Sequence, residues 1–217
     1  MFGSLGYVVF VALAFLLATT LGPLYVNVRL RRTREPTNAE QSRLERYCEA
    51  TALSPDRTYV VETVGEASVD VKAVGIPGYR VLLVTDYALE SLDDEVLIGL
   101  LAAEGGRTTT YYAEFRAVAV TVVIALLVST FAGFLTFDVG FLLIGVGALV
   151  AFAAGRRIQY RADAIAARQV GGDVVADAFE AVADVRGVEP KTSSWRTLFE
   201  IQPPLGDRIA RLRGRQS

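Results

Sequence analysis

The stretch from Ala117 to Gly155 reads AVAVTVVIALLVSTFAGFLTFDVGFLLIGVGALVAFAAG and carries a single charge, Asp138, near its centre. A membrane-crossing helix needs about 20 apolar residues, so this run is long enough for two of them. Helices over about 117–135 and 139–155, joined by a very short turn, would satisfy every backbone group internally, as a bilayer requires. Asp138, two residues after Thr136, is then expected at the far membrane surface, because a buried unpaired carboxylate costs several kcal/mol. Gly147, Ala151 and Gly155 recur every four residues. Such a small-residue face predicts close approach of the two helices.

Outward from this hairpin the charges fall into blocks. Of the 22 Lys+Arg and 24 Asp+Glu, all but Asp138 lie within 29–116 or 156–215. Before the first block, Leu5 to Val28 is uncharged over 24 residues, roughly 36 Å of helix against a ~30 Å hydrocarbon core. A cleaved signal peptide fits less well, since a basic leading region and a small-residue cleavage site are missing and the apolar run is too long. The chain thus divides into a spanning helix (1–28), a charged block (29–116), a membrane hairpin (117–155) and a charged C-terminal half (156–217). Arg29, Arg31, Arg32 and Arg34 follow the first span, Arg107 and Arg116 precede the second, and Arg156, Arg157 and Arg161 follow the third. Basic residues mark the cytoplasmic side. That rule predicts a multi-pass protein of the cell membrane with its N-terminus outside and both charged blocks cytoplasmic. The first block carries 11 basic and 15 acidic residues and the last 11 and 8, or −4 and +3. Opposite bias predicts that the two dock.

Composition removes several mechanisms. The 217 residues are 52% hydrophobic, with one Cys and no His. Nucleophile systems that need an imidazole, His-ligated metal sites, disulfides and Cys clusters are excluded. Neither Lys72 nor Lys191 lies in a nucleophile motif, and Gly75-Ile76-Pro77-Gly78 lacks the Gly-Lys-Ser/Thr ending of a phosphate loop. The basic clusters at the membrane ends are accounted for by topology and anionic lipid, so no nucleic-acid partner is implied.

Within the first block, 36–55 opens with Pro36-Thr37 and reads as a short helix through Leu44, Tyr47 and Ala50. Alternating, Val-rich runs over 58–64 and 68–74, the turn at 75–78 and the apolar run 79–85 predict a small antiparallel sheet. Ser91-Leu92-Asp93-Asp94 matches a capping box opening a helix through Leu97 and Leu101 to Arg107 and on toward the second span. The adjacent Gly105 and Gly106 cost that helix about 1 kcal/mol each, which suggests a second backbone in close approach, with a simple break in the helix as the alternative. In the last block, 156–170 reads as a helix ended by Gly171-Gly172, with Gln159 and Asp163 on one face. An amphipathic helix over 174–185 follows. Trp195, Leu198 and Phe199 are expected to supply a docking patch, and Pro203-Pro204-Leu205 to start a last helix through Ile209 and Leu212.

Four fragments in register resemble the HtpX-like membrane zinc metallopeptidases, the gluzincin family related to the CAAX prenyl endopeptidases. They are Leu82 to Leu89, Leu92 to Arg107, Ile158-Gln159-Tyr160-Arg161-Ala162-Asp163, and Gln202-Pro203-Pro204-Leu205 through Arg208-Ile209 to Leu212. Together they cover roughly 36–213. The resemblance implies an α+β, mostly helical integral membrane protein: three transmembrane helices, a small cytoplasmic sheet and a gluzincin-like helical core. The family often has two helices before the catalytic block, where this chain has one.

The resemblance also implies where a zinc site would lie, and each ligand position is altered. The two histidines of the family's His-Glu-x-x-His fall on Ala103 and Arg107, and the later carboxylate ligand falls on Gln159. Ala103 has no donor atom, Arg107 carries a fixed cation, and Gln159 offers a neutral, weak oxygen. Glu104 remains at the position of the general base, with Asp163 and Gln202 where the family supports its ligands from behind. Zinc lowers the pKa of its water from 15.7 to about 7, so without it the base lacks about 9 units, or roughly 12 kcal/mol, of driving force. The expectation is no resident cofactor, a vestigial Glu104 ion-paired with Arg107, and Arg107 filling the former metal cavity against Glu104 or Asp163.

Two readings follow. One is a pseudoprotease in membrane protein quality control. It would bind an unfolded or membrane-bound client, added as a strand along an edge at Val81, Leu83 and Thr85, or serve an active peptidase paralogue. The other is an active membrane metalloendopeptidase with an atypical metal site built from Glu104, Asp163 and Gln159.

Overall fold

The computed structural model describes residues 2–27, 31–51, 53–187 and 203–214. Helix α1 (Phe2–Tyr25) leads to a two-residue strand β1 (Thr33–Arg34) and helix α2 (Asn38–Glu49). Strands β2 (Arg57–Val61), β3 (Val71–Ile76) and β4 (Tyr79–Thr85) come next, then helices α3 (Asp86–Ser91) and α4 (Asp94–Thr109). Helices α5 (Tyr112–Phe131), α6 (Phe137–Val170), α7 (Gly172–Val185) and α8 (Leu205–Leu212) complete the described residues.

Helices α1, α5 and α6 are long and apolar enough to cross a membrane. Their outward side chains are large and bare, with Phe10 69% and Leu142 65% exposed. Apolar surface of that extent belongs in lipid. The protein is therefore a mostly helical integral membrane protein with three spans and a small sheet.

Several sequence expectations need correction. The third span and the helix expected after it form one continuous α6 of 34 residues, about 51 Å long. The single Gly155 at their junction is buried and helical, and one glycine costs only about 1 kcal/mol. Conversely, α4 does not run on into the second span. Thr108, Thr109 and Thr110 turn their hydroxyls back onto the carbonyls of Gly105 and Gly106, and Tyr111 takes a left-handed φ of 52° that ends the helix. Ser91 closes α3 rather than capping α4, whose N-cap is Asp93 without a side-chain bond. Nothing lies within 4 Å of a Cβ built on Gly147. Close approach in the hairpin occurs instead where Gly140 meets the Thr130 side chain.

The sheet is mixed, in the order β1-β2-β4-β3. The β3–β4 hairpin is antiparallel, closing with Ile76 opposite Tyr79, but β2 and β4 run parallel. Strand β4 is thus interior, and the long outer edge belongs to β3. One face of the sheet packs against α2, α3 and α4 through Leu44, Val60, Leu82, Val84, Leu97 and Leu101. The far side of α4 joins α6, α7 and α8 through Ala103, Ala166, Val175, Phe179 and Ile209. The two charged blocks therefore dock, with α4 at their centre. The approach is close: a Cβ on Gly99 would fall 2.6 Å from the Val174 carbonyl oxygen, and one on Gly106 would collide with the backbone of Ala162.

Candidate functional site

That contact between Gly106 and Ala162 sets α4 and α6 side by side, and the residues flanking it form the candidate site. Glu104 points from α4 toward the sheet and is buried. Its Oε1 accepts the backbone N–H of Ala73 on β3 at 2.9 Å, and its Oε2 accepts from Arg107 Nη1 at 3.0 Å. Arg107, one turn on, keeps a 29% exposed side chain, and its buried Nε has no hydrogen-bond partner among the described residues. Each oxygen of the Glu104 carboxylate thus already accepts a hydrogen bond.

Across the helix pair, Gln159 is fully buried. Its Nε2 donates to Asp163 Oδ1 at 3.1 Å, while its Oε1 has no partner among the described residues. Asp163 is held chiefly from α8: Arg208 donates through Nε to Oδ2 at 2.8 Å and through Nη2 to Oδ1 at 2.7 Å. The Arg208 guanidinium also stacks 4.2 Å over the Phe179 ring. Nothing in the sequence marks Arg208 as a partner of Asp163, although it stands in the Pro-Pro-Leu-x-x-Arg-Ile fragment. The structure unites Glu104 with Arg107, and Gln159 with Asp163. It pairs Asp163 with Arg208 rather than with Arg107. Gln202 and the patch at Trp195, Leu198 and Phe199 lie outside the described residues.

Zinc does not fit this donor set. Ala103 is buried with no donor, Arg107 is a cation, and each nearby acid already neutralises an arginine. Among the described residues no group of three His, Cys, Asp or Glu side chains could hold a metal ion. A buried carboxylate released from its arginine to bind an ion would strand a second positive charge beside the first.

The expected edge at Val81, Leu83 and Thr85 is not an edge. All three are buried in β4, between β2 and β3, because the parallel β2–β4 pairing fills the position a guest strand would take. The β3 edge borders two clefts instead. One, of about 240 Å³, runs past Ala73, Glu104, Arg107 and Tyr112. The other, of about 410 Å³, lies between α1, β3 and α5. Lys72, Ala73, Arg80, Glu114 and Arg116 line both, so the two join. Arg80 donates through Nη1 to the Gly75 carbonyl at 3.3 Å and pairs through Nη2 with Glu114. Side chains therefore cap two backbone groups of β3, Glu104 at the Ala73 N–H and Arg80 at the Gly75 carbonyl.

Three spans, a small mixed sheet and a pair of helices in backbone contact make up a membrane metallopeptidase-like fold. The crystal structure of S. mikatae Ste24p shares it, with a TM-score of 0.70 over 94% of this chain. The match is 16% identical and spans 56% of the Ste24p chain, so the likeness is of fold alone. Neither a protein-family model nor a curated protein matches the sequence.

Proposed function

We propose that this chain is a membrane-anchored pseudoprotease of HtpX-like, gluzincin descent, which binds an unfolded or membrane-bound client without cutting it. The reading rests on the Arg107–Glu104 pair, a guanidinium 3.0 Å from the carboxylate that would have to activate water. Each oxygen of that acid already accepts one hydrogen bond, from Arg107 and from the Ala73 amide, which ties it between α4 and β3 and sets a fixed cation beside it. The client strand adds along β3 rather than β4, exchanging the caps from Glu104 and Arg80 for its own backbone groups. A scaffolding role toward an active peptidase paralogue is a version of the same reading. The arginine clusters flanking the spans support an N-terminus outside and both charged blocks in the cytoplasm. An atypical metal site of Glu104, Asp163 and Gln159 draws less support, since both acids are already ion-paired with arginines and what remains is the neutral, weak Gln159 amide oxygen.

The test is metal analysis of the detergent-purified protein together with chelator-sensitive digestion of unfolded casein. The wild type is expected to carry far less than one equivalent of zinc and to leave casein intact. Ala103→His, Arg107→His and Gln159→Glu combined should raise zinc toward one equivalent, because they return three donors to helices already in contact. Stoichiometric zinc with cleavage in the wild type would overturn the reading.

A further inference from the structure

We propose that the groove between α1, β3 and α5 binds one anionic phospholipid of the surrounding bilayer. Lys72 and Arg116 hold its phosphate, and an acyl chain lies against the two membrane helices. The groove shares Lys72, Ala73 and Arg80 with the client edge of β3, but the proposal rests neither on client binding nor on the degenerate metal position.

Three observations meet there. The first is place. Arg116 is the last charge before the uncharged part of α5, and Val120 lies one helical turn further in. On the facing side, Ala18 to Pro23 belong to the uncharged run of α1. A groove walled by these residues crosses the level at which headgroups give way to hydrocarbon. The second is shape and lining. At about 410 Å³ it falls within the ~300–1,000 Å³ of small-ligand sites. Its membrane-side walls are Ala18, Pro23, Ala117 and Val120, which water wets poorly and a lipid chain covers without penalty.

The third is charge. The two joined clefts contain Lys72, Arg80, Arg107 and Arg116 against Asp70, Glu104 and Glu114. Every acid has its own arginine: Asp70 with Arg31 at 3.6 Å, Glu104 with Arg107, and Glu114 with Arg80. Lys72 and Arg116 have no carboxylate within 4.0 Å among the described residues. Two uncompensated cations at the headgroup level, above an apolar slot, complement one phosphate diester on a hydrocarbon tail. Glu114 Oε2 adds a buried acceptor that lacks a partner among the described residues. A headgroup hydroxyl can donate to it, which favours phosphatidylglycerol as the probe.

The experiment uses the full chain in detergent, titrated with phosphatidylglycerol or phosphatidylcholine and read by native mass spectrometry. One phosphatidylglycerol is expected to bind on the order of tenfold more tightly than phosphatidylcholine, given about 1 kcal/mol per basic residue near an anionic surface. Lys72→Gln with Arg116→Gln should abolish that preference without moving the thermal midpoint. Val120→Trp, which fills the slot and leaves both cations, should remove the bound lipid altogether. Arg157→Gln with Arg161→Gln, exposed cations elsewhere on α6, should leave the preference intact. Equal affinity for the two lipids overturns the proposal, as does an equal loss in the Arg157/Arg161 variant. So does saturable binding of an acidic peptide at Lys72 and Arg116 with which phosphatidylglycerol fails to compete.

Discussion

The Arg208 guanidinium grips the Asp163 carboxylate with two parallel hydrogen bonds, 2.8 Å and 2.7 Å long, and both side chains are at most 6% exposed. This pair, together with the Phe179 ring beneath it, ties α8 to α6 and α7. Removing one partner of a buried pair strands the other, which typically costs about 3–5 kcal/mol. Asp163→Leu and Arg208→Met are each expected to lower stability by that order in denaturant titrations of the detergent-solubilised protein. The double variant should be less destabilised than the sum of the two, because neither charge is then left alone. Strict additivity would mean that the pair contributes nothing as a pair.

The Glu104 carboxylate spans α4 and β3, so its loss should register first as a change in the sheet edge. Glu104→Ala is expected to speed hydrogen exchange at the Ala73 amide by roughly 10- to 100-fold, since a buried hydrogen bond to a charged group is worth about 1.5–3 kcal/mol. Glu104→Gln keeps an acceptor for that amide and should exchange far more slowly than the alanine variant. A catalytic role would instead leave the two variants equally dead in an activity assay. If Glu104→Ala left Ala73 exchange unchanged, the capping of β3 described above would be wrong.

Glu40 supplies a pH dependence. It belongs to a complete capping box with Thr37 at the start of α2, and both its oxygens accept from Arg34 at 2.7 Å. The Arg34 guanidinium, opposed by burial and aided by the Thr37 amide and hydroxyl, holds the Glu40 carboxyl down to about 2 from an ordinary 4.5. A carboxyl that is more acidic folded than unfolded contributes its stability above the unfolded pKa and loses it as pH falls through the folded one. The stability difference between wild type and Glu40→Gln should therefore be flat above about pH 5 and shrink steadily between 4.5 and 2. A loss of one cap, about 1 kcal/mol, sets its scale. A difference that grew on acidification would contradict the ion pair.

The spans, the docking of the two charged blocks, and the Glu104–Arg107 and Gln159–Asp163 neighbours could all be read from the sequence, because each rests on local spacing or on summed charge. What escaped is non-local. The parallel β2–β4 pairing leaves no mark on either strand, whereas the Gly-Ile-Pro-Gly turn announces β3–β4. Arg208 and Asp163 lie 45 residues apart, and no periodicity joins them. The short helix α3 took Ser91 as its last residue, so a serine that matches a cap by spacing was already spent. Small residues were legible only where a second backbone happened to lie opposite.

That last distinction is testable with two glycines in one protein. Gly106 lies so close to the Ala162 backbone that a Cβ cannot be placed without moving α4 from α6, while Gly147 faces open space. Alanine favours a helix over glycine by about 1 kcal/mol, so propensity alone predicts that both Gly→Ala changes stabilise. Gly147→Ala should indeed be neutral or slightly stabilising in thermal unfolding. Gly106→Ala should instead destabilise by about 1–3 kcal/mol, the usual range for overpacking a tight interface. Because the clash falls on backbone, no rotamer change relieves it. The displacement should also disturb Glu104, whose bond to Ala73 depends on where α4 sits, so Ala73 exchange should accelerate in Gly106→Ala as well. If Gly106→Ala instead matched Gly147→Ala in both readouts, the helix contact around which the candidate site is organised would not exist in solution.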